Sequence, residues 1–141
     1  MKQKVLFLCT GNSCRSQIAE ALVNTRLGDR WQAYSAGTKP AGYVHPMALQ
    51  VLEEIGIEHQ GVSKAIEHLE TQDFDLVITV CDDAAENCPL WLGHGKRHHL
   101  GYPDPARATG SEAEKLAAFR QVRDAMQDQI VSFVAGWDEA V

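Results

Sequence analysis

Apolar positions along this chain alternate between two spacings, in short continuous runs separated by stretches with helical periodicity. Lys4–Cys9 (KVLFLC) is an apolar run with the length of a buried strand. Gly11-Asn12-Ser13 interrupts it, and Ser16–Leu27 then carries Ile18, Ala21 and Leu22 at helical spacing, with Gly28 placed to end that helix. Trp31–Ala36 reads as a second strand. Pro46 suits the first turn of a helix running to Ile55, and Gly56 suits its stop. Leu76–Val80 (LVITV) is the clearest buried strand, and Arg97–Leu100 is a weaker one. Ser111 with Glu114 three residues later forms a capping box that opens a long terminal helix.

Strands separated by helices predict an α/β fold. We expect one domain over residues 1–141, with a four-stranded parallel sheet, right-handed crossovers and helices on both faces. Ligands of such sheets sit beyond the carboxyl ends of the strands, where the strand order switches direction. Cys9 ends the first predicted strand, Cys81 follows the third, and Asp104 lies just after the fourth. The topology alone gathers candidate chemistry at one rim.

Composition narrows the picture. At 141 residues and 45% hydrophobic, the chain can form a full core without metals or disulfide staples. Val5–Cys9 is too short for a signal peptide, and no stretch reaches the roughly 20 apolar residues of a membrane helix. A cytoplasmic monomer is expected. The formal net charge of −6 argues against nucleic acid or an anionic membrane as the main partner, though not against a small anion in a local pocket. A reducing compartment favours catalytic or metal roles for the four cysteines over structural bridges.

The segment Cys9-Thr10-Gly11-Asn12-Ser13-Cys14-Arg15-Ser16 joins the first strand to the first helix. Successive backbone N–H groups in such a turn form an anion cradle, strengthened by the positive end of the helix. Gly11 permits backbone conformations closed to other residues. Arg15 can fork onto two oxygens of a tetrahedral oxyanion. The field that binds the anion also favours a thiolate at Cys9, and Ser16 can donate a hydrogen bond to its sulfur. The competing reading is a buried cysteine at a strand end.

CTGNSCRSQ together with the later YPDP resembles the low-molecular-weight protein tyrosine phosphatases and the thioredoxin-coupled arsenate reductases that share their fold. The resemblance spans essentially the whole chain. It implies that Cys9 is the nucleophile, Arg15 the oxyanion clamp, and Asn12 and Ser16 loop supports. Asp104 would be the general acid that protonates a departing oxygen. The alternative for Asp104 is ordinary Asp-Pro turn chemistry.

A phosphatase needs one cysteine, whereas a reductase needs a source of two electrons. Cys81-Asp-Asp-Ala-Ala-Glu-Asn-Cys88-Pro89 looks like the redox segment of the thioredoxin-coupled reductases. That likeness implies a relay: Cys9 forms an adduct with arsenate, Cys81 attacks Cys9 and releases arsenite, Cys88 attacks Cys81, and thioredoxin reduces the last pair. Glutaredoxin with glutathione is the alternative reductant. No cofactor is implied. If Asp82–Asn87 is helical, Cys81 and Cys88 stand about 10 Å apart along the axis, beyond the roughly 7 Å a disulfide spans, so the segment must rearrange on oxidation. Two other readings compete. Cys81 and Cys88 can be core thiols, or they can hold zinc with His94, His98 or His99, at a spacing wider than zinc sites usually use. Cys14 is a structural loop position with no required role, though it can pair with Cys9 under oxidation.

Two further features follow from the resemblance. Phosphatases of the family often place aromatic residues after the Asp-Pro pair. Here Pro105 is followed by Ala106-Arg107-Ala108, which favours a small inorganic oxyanion, with Tyr102 left as a possible aromatic contact. Some reductases bind potassium behind the loop through Asn, Glu, Ser and a later Asp. Asn12, Glu20 and Ser35 match, but the later position reads Lys64. The expectation is that the Lys64 ammonium takes the cation's place without any metal; a solvated surface lysine is the alternative. A phosphotyrosine phosphatase and a non-catalytic oxyanion or redox sensor remain the competing functions.

Overall fold

The computed structural model describes residues 2–69, 71, 73–82 and 94–137. Its strands are β1 (Gln3–Cys9), β2 (Trp31–Gly37), β3 (Asp73–Thr79) and β4 (His94–His99). The helices are α1 (Arg15–Arg26), α2 (Pro46–Glu53) and α3 (Glu112–Ala135), with 3-10 turns at Ile66–His68 and Pro105–Arg107. All strand pairs are parallel, in the order β2-β1-β3-β4. The chain therefore leaves β1 to one side for β2 and returns to the other for β3. That reversal opens a crevice past the end of β1.

Val5, Leu6, Phe7 and Leu8 are all fully buried, as expected of a central parallel strand covered on both faces. Burying each large side chain contributes on the order of 1.5–3 kcal/mol. Val5, Phe7 and Cys9 join α1, α2 and α3 in the larger core, with Trp31, Leu76, Ile78 and Met126. Leu6 and Leu8 turn to the other face and meet Ala36, Phe74 and Val77 under Tyr34, Ile66 and Leu69. Phe74 and Val77 share a face despite their odd spacing because a register shift falls between Asp73 and Leu76.

The predicted elements all occur, with shifted ends. α3 begins at the predicted capping box, in which Ser111 accepts from Glu114 N–H and the Glu114 carboxylate accepts from Ser111 N–H. α2 starts at Pro46, and Gly56 takes φ +81° just beyond its end. Gly28 follows the C-cap Leu27 but stays out of the left-handed region; its position needs glycine because a Cβ would collide with the Asn24 carbonyl. β4 begins earlier than the apolar pattern predicts. It is a rim strand whose residues 95–99 are exposed, so no apolar alternation marks it.

Candidate functional site

The loop from Cys9 to Ser16 lies in the crevice past β1. Asn12 sits at φ 48°, a left-handed conformation that asparagine adopts more readily than most residues. Its side chain is fully buried, and its orientation is fixed. Oδ1 accepts from Lys64 N–H at 2.9 Å, so Nδ2 faces Ser16 Oγ at 2.8 Å. The Ser16 hydroxyl already accepts that bond, which leaves its proton for the Cys9 sulfur 2.9 Å away. Gly37 at the end of β2 lets the loop press close, since a Cβ there would meet Thr10 O, Asn12 N and Cys9 O.

The two long loop-associated helices start differently. α3 carries a capping box and two glutamates in its first turn. α1 has no side-chain cap from Cys14 and no acidic residue in its first turn. Its positive end is left to the crevice, as an anion site requires.

Arg15 is 3% exposed and reaches the Asp-Pro loop. Nη1 donates to Tyr102 O at 3.1 Å, and Nη2 stands 3.8 Å from Asp104 Oδ2. Asp104 divides its two oxygens. Oδ1 accepts from Ala106 N–H and caps the 3-10 turn, while Oδ2 faces Arg15. Turn chemistry and a place beside Arg15 in the cavity wall thus coexist in one residue. Cys9, Cys14, Arg15 and Asp104 line a cavity of about 220 Å³, with Tyr43 and His45 also in its wall. A larger hollow of about 490 Å³ behind the Asp-Pro loop touches α3 and shares only Asp104 with these residues.

Burial, and then the nearby Asp104 and Cys9, push the Cys14 thiol up to about 12. Sequence reasoning missed His45 and Tyr43. His45 caps α2 by accepting Met47 N–H on Nδ1, packs its ring 4.8 Å from that of Phe119, and is pushed by burial below the usual histidine range. The signal available was its position just before Pro46. Tyr102 offers no ring to the cavity: it is 6% exposed, and its hydroxyl donates to Gln129.

Behind the loop, Ser35 Oγ donates to Glu20 Oε1 at 3.0 Å. Burial drives the Glu20 carboxyl up, and the Lys64 ammonium and Ser35 hold it back. Lys64 also ties the loop through its backbone, where its carbonyl accepts from Gly37 N–H.

Val80 N–H donates to Leu8 O, so Cys9 and Cys81 leave adjacent strand ends. Cys81 is fully buried and disulfide-bonded, whereas Cys9 and Cys14 carry free thiols. Cys88 and residues 83–87, which the expected rearrangement concerns, lie outside the described residues. Among the described residues no group of three or more His, Cys, Asp or Glu could hold a metal ion.

The family model described as low molecular weight phosphotyrosine protein phosphatase matches residues 4–140. The chain belongs to this family. Within the low molecular weight phosphatase family it is similar to an arsenate reductase of Bacillus subtilis (strain 168), with 45% identity over 135 residues covering 94% of this chain and 96% of that one. Its structure is similar to that of an arsenate reductase from Archaeoglobus fulgidus, with a TM-score of 0.78 and 27% identity, covering 93% of this chain and 98% of that one. It also resembles a thioredoxin-dependent arsenate reductase from Corynebacterium glutamicum, with a TM-score of 0.65 and 26% identity over 96% of this chain and 64% of that one. The four-stranded parallel α/β architecture expected from the sequence is the fold of this family.

Proposed function

We propose that this chain is an arsenate reductase that works by a three-cysteine relay and is re-reduced by thioredoxin. The observation that carries the reading is Cys81, a second redox sulfur at the end of the strand hydrogen-bonded beside the one that ends in Cys9. A phosphatase needs only the one cysteine at position 9.

The Cys9 thiolate attacks arsenic, forming an S–As bond as one As–O bond breaks. Asp104 gives its proton to the departing oxygen, which leaves as water. Arg15 and the loop N–H groups hold the remaining oxygens. Cys81 then attacks the Cys9 sulfur, an S–S bond forms, and the S–As electron pair stays on arsenic, which leaves as arsenite. Cys88 exchanges onto Cys81 and frees Cys9, and a thioredoxin dithiol supplies the two electrons that close the cycle. Thr10, Gly11, Ser13 and Cys14 contribute cradle backbone, with Glu20, Ser35 and Lys64 supporting it from behind.

One observation favours a second reading. Tyr43, 57% exposed at the cavity rim, is placed to meet an aryl phosphate. Turnover separates the two. Arsenate-dependent oxidation of thioredoxin should be lost in Cys81→Ser and in Cys88→Ser, while hydrolysis of an aryl phosphate persists in both. Full phosphatase turnover by the wild type without arsenate reduction would favour the phosphatase. Oxyanion binding without turnover of either substrate would favour a sensor.

A further inference from the structure

Gln17 sits in the first turn of α1 and is fully buried. Its amide nitrogen lies 3.1 Å from each of three acceptors: Asn12 O, Asn12 Oδ1 and Val62 O. Only the NH2 end can face three oxygens, so Oε1 points the other way. There it meets His59 Nε2 at 2.7 Å, and the proton of that bond must come from the histidine. Glu20 Oε2 is 3.7 Å from the same nitrogen, too far to take the proton. Burial, and then the Lys64 ammonium, push His59 below the usual histidine range, which favours the neutral ring, and the bond to Gln17 Oε1 sets its hydrogen on Nε2.

Gly61 supplies an independent observation. A Cβ at that position would strike both Gln17 Oε1 and His59 Nε2. The missing side chain therefore leaves the space in which the histidine reaches the glutamine. His59 lies outside the CTGNSCRSQ motif and Gln17 is its last residue, and the bonds run from one to the other and on to the sulfur. Gln17 holds Asn12 at φ 48°, Asn12 fixes Ser16, and Ser16 meets Cys9.

We propose that His59 is a positioning residue for the oxyanion loop, acting through Gln17 to lock Asn12, in a gap that Gly61 keeps open. The inference rests on the reading of Cys9 as nucleophile, but not on arsenate as the substrate. His59 touches neither the anion nor the sulfur.

The test uses the reduced full-length chain and two readouts besides turnover: calorimetric affinity for inorganic phosphate, and the pH profile of Cys9 alkylation by iodoacetamide. His59→Ala removes one buried hydrogen bond of about 0.5–1.5 kcal/mol, so phosphate should bind roughly two- to tenfold more weakly. The alkylation profile should move to higher pH. His59→Gln retains an amide donor at similar reach and should restore most of both. Gly61→Ala should reproduce His59→Ala, and the double variant should be no worse than either single one, because both break the same contact. Unchanged phosphate affinity and alkylation in His59→Ala, or additive losses in the double variant, would overturn the proposal. If His59→Ala fails to fold, Gly61→Ala and His59→Gln still decide it by the same readouts. Arsenate left unreduced by a wild type that binds phosphate well would count against the reductase reading alone.

Discussion

Asn12 joins backbone and side-chain chemistry in a single position. Its left-handed turn aims the loop, and its amide spans from Lys64 N–H to Ser16 Oγ. Lys64 acts at the same scale, since its ammonium holds down the buried Glu20 carboxyl against the rise that burial imposes. On the proposed substitution this ammonium, which donates to Val62 O at 2.8 Å, serves in place of a mobile cation. Potassium added to the wild type should leave the arsenate reduction rate unchanged, and Lys64→Ala should lower that rate. Several-fold activation of the wild type by potassium in a steady-state titration would refute the substitution. The loop residues were legible in the sequence because their spacing is local and their chemistry is dense. Gln17 closes the CTGNSCRSQ motif, but its tie to His59 was not legible. The two are 42 positions apart, and a buried amide in the first turn of a helix leaves no periodic signal. Gly61 was the one hint, and its meaning needs coordinates.

Among elements, α2 and α3 are joined by one carboxylate. Glu54 accepts from Arg120 Nη2 at 2.6 Å and from Arg123 Nη1 at 2.8 Å, with the Arg120 bond the larger influence, and is held at about 2 instead of 4.5. An acid whose pKa is lower in the fold than in the unfolded chain stabilises the fold above its ordinary value. That contribution is lost as the pH falls from 4.5 towards 2. In urea unfolding, the gap between wild type and Glu54→Gln should be full at pH 6 to 7 and close across that acid window. A gap independent of pH would mean that the arginines stabilise through packing alone. The sequence showed α3 through its capping box and α2 through Pro46, since end signals are local. It misjudged the start of β4 because an exposed rim strand needs no apolar alternation, and it was silent on the register shift in β3 because bulges depend on the partner strand.

At the scale of the molecule, the strand order β2-β1-β3-β4 places the loop at the centre of the sheet and not at an edge. Cys9 belongs to the main core, and the loop is pinned to β2 at Gly37 and to the chain before Ile66–His68 through Lys64. An anion held by the loop should therefore stabilise the entire fold. Phosphate at 100 times its dissociation constant should add about 2.7 kcal/mol to unfolding. Thermal unfolding in phosphate against chloride at equal ionic strength measures this, and Arg15→Ala should lose most of the shift. An equal shift in that variant would place the anion elsewhere. The strand order itself was only partly legible: alternating elements imply a parallel sheet, but which strand lies centrally depends on packing. The apolar runs at Lys4–Cys9 and Leu76–Val80 marked buried strands, and β1 and β3 are the two inner strands of the sheet.

The Cys14 thiol, pushed up to about 12, has one more consequence. It lines the same cavity as Cys9, where in the proposed relay it would compete with Cys81 for the Cys9 sulfur. Keeping its hydrogen at neutral pH makes it a poor attacker. In the proposed relay this slows attack by Cys14 on Cys9 and favours transfer to Cys81.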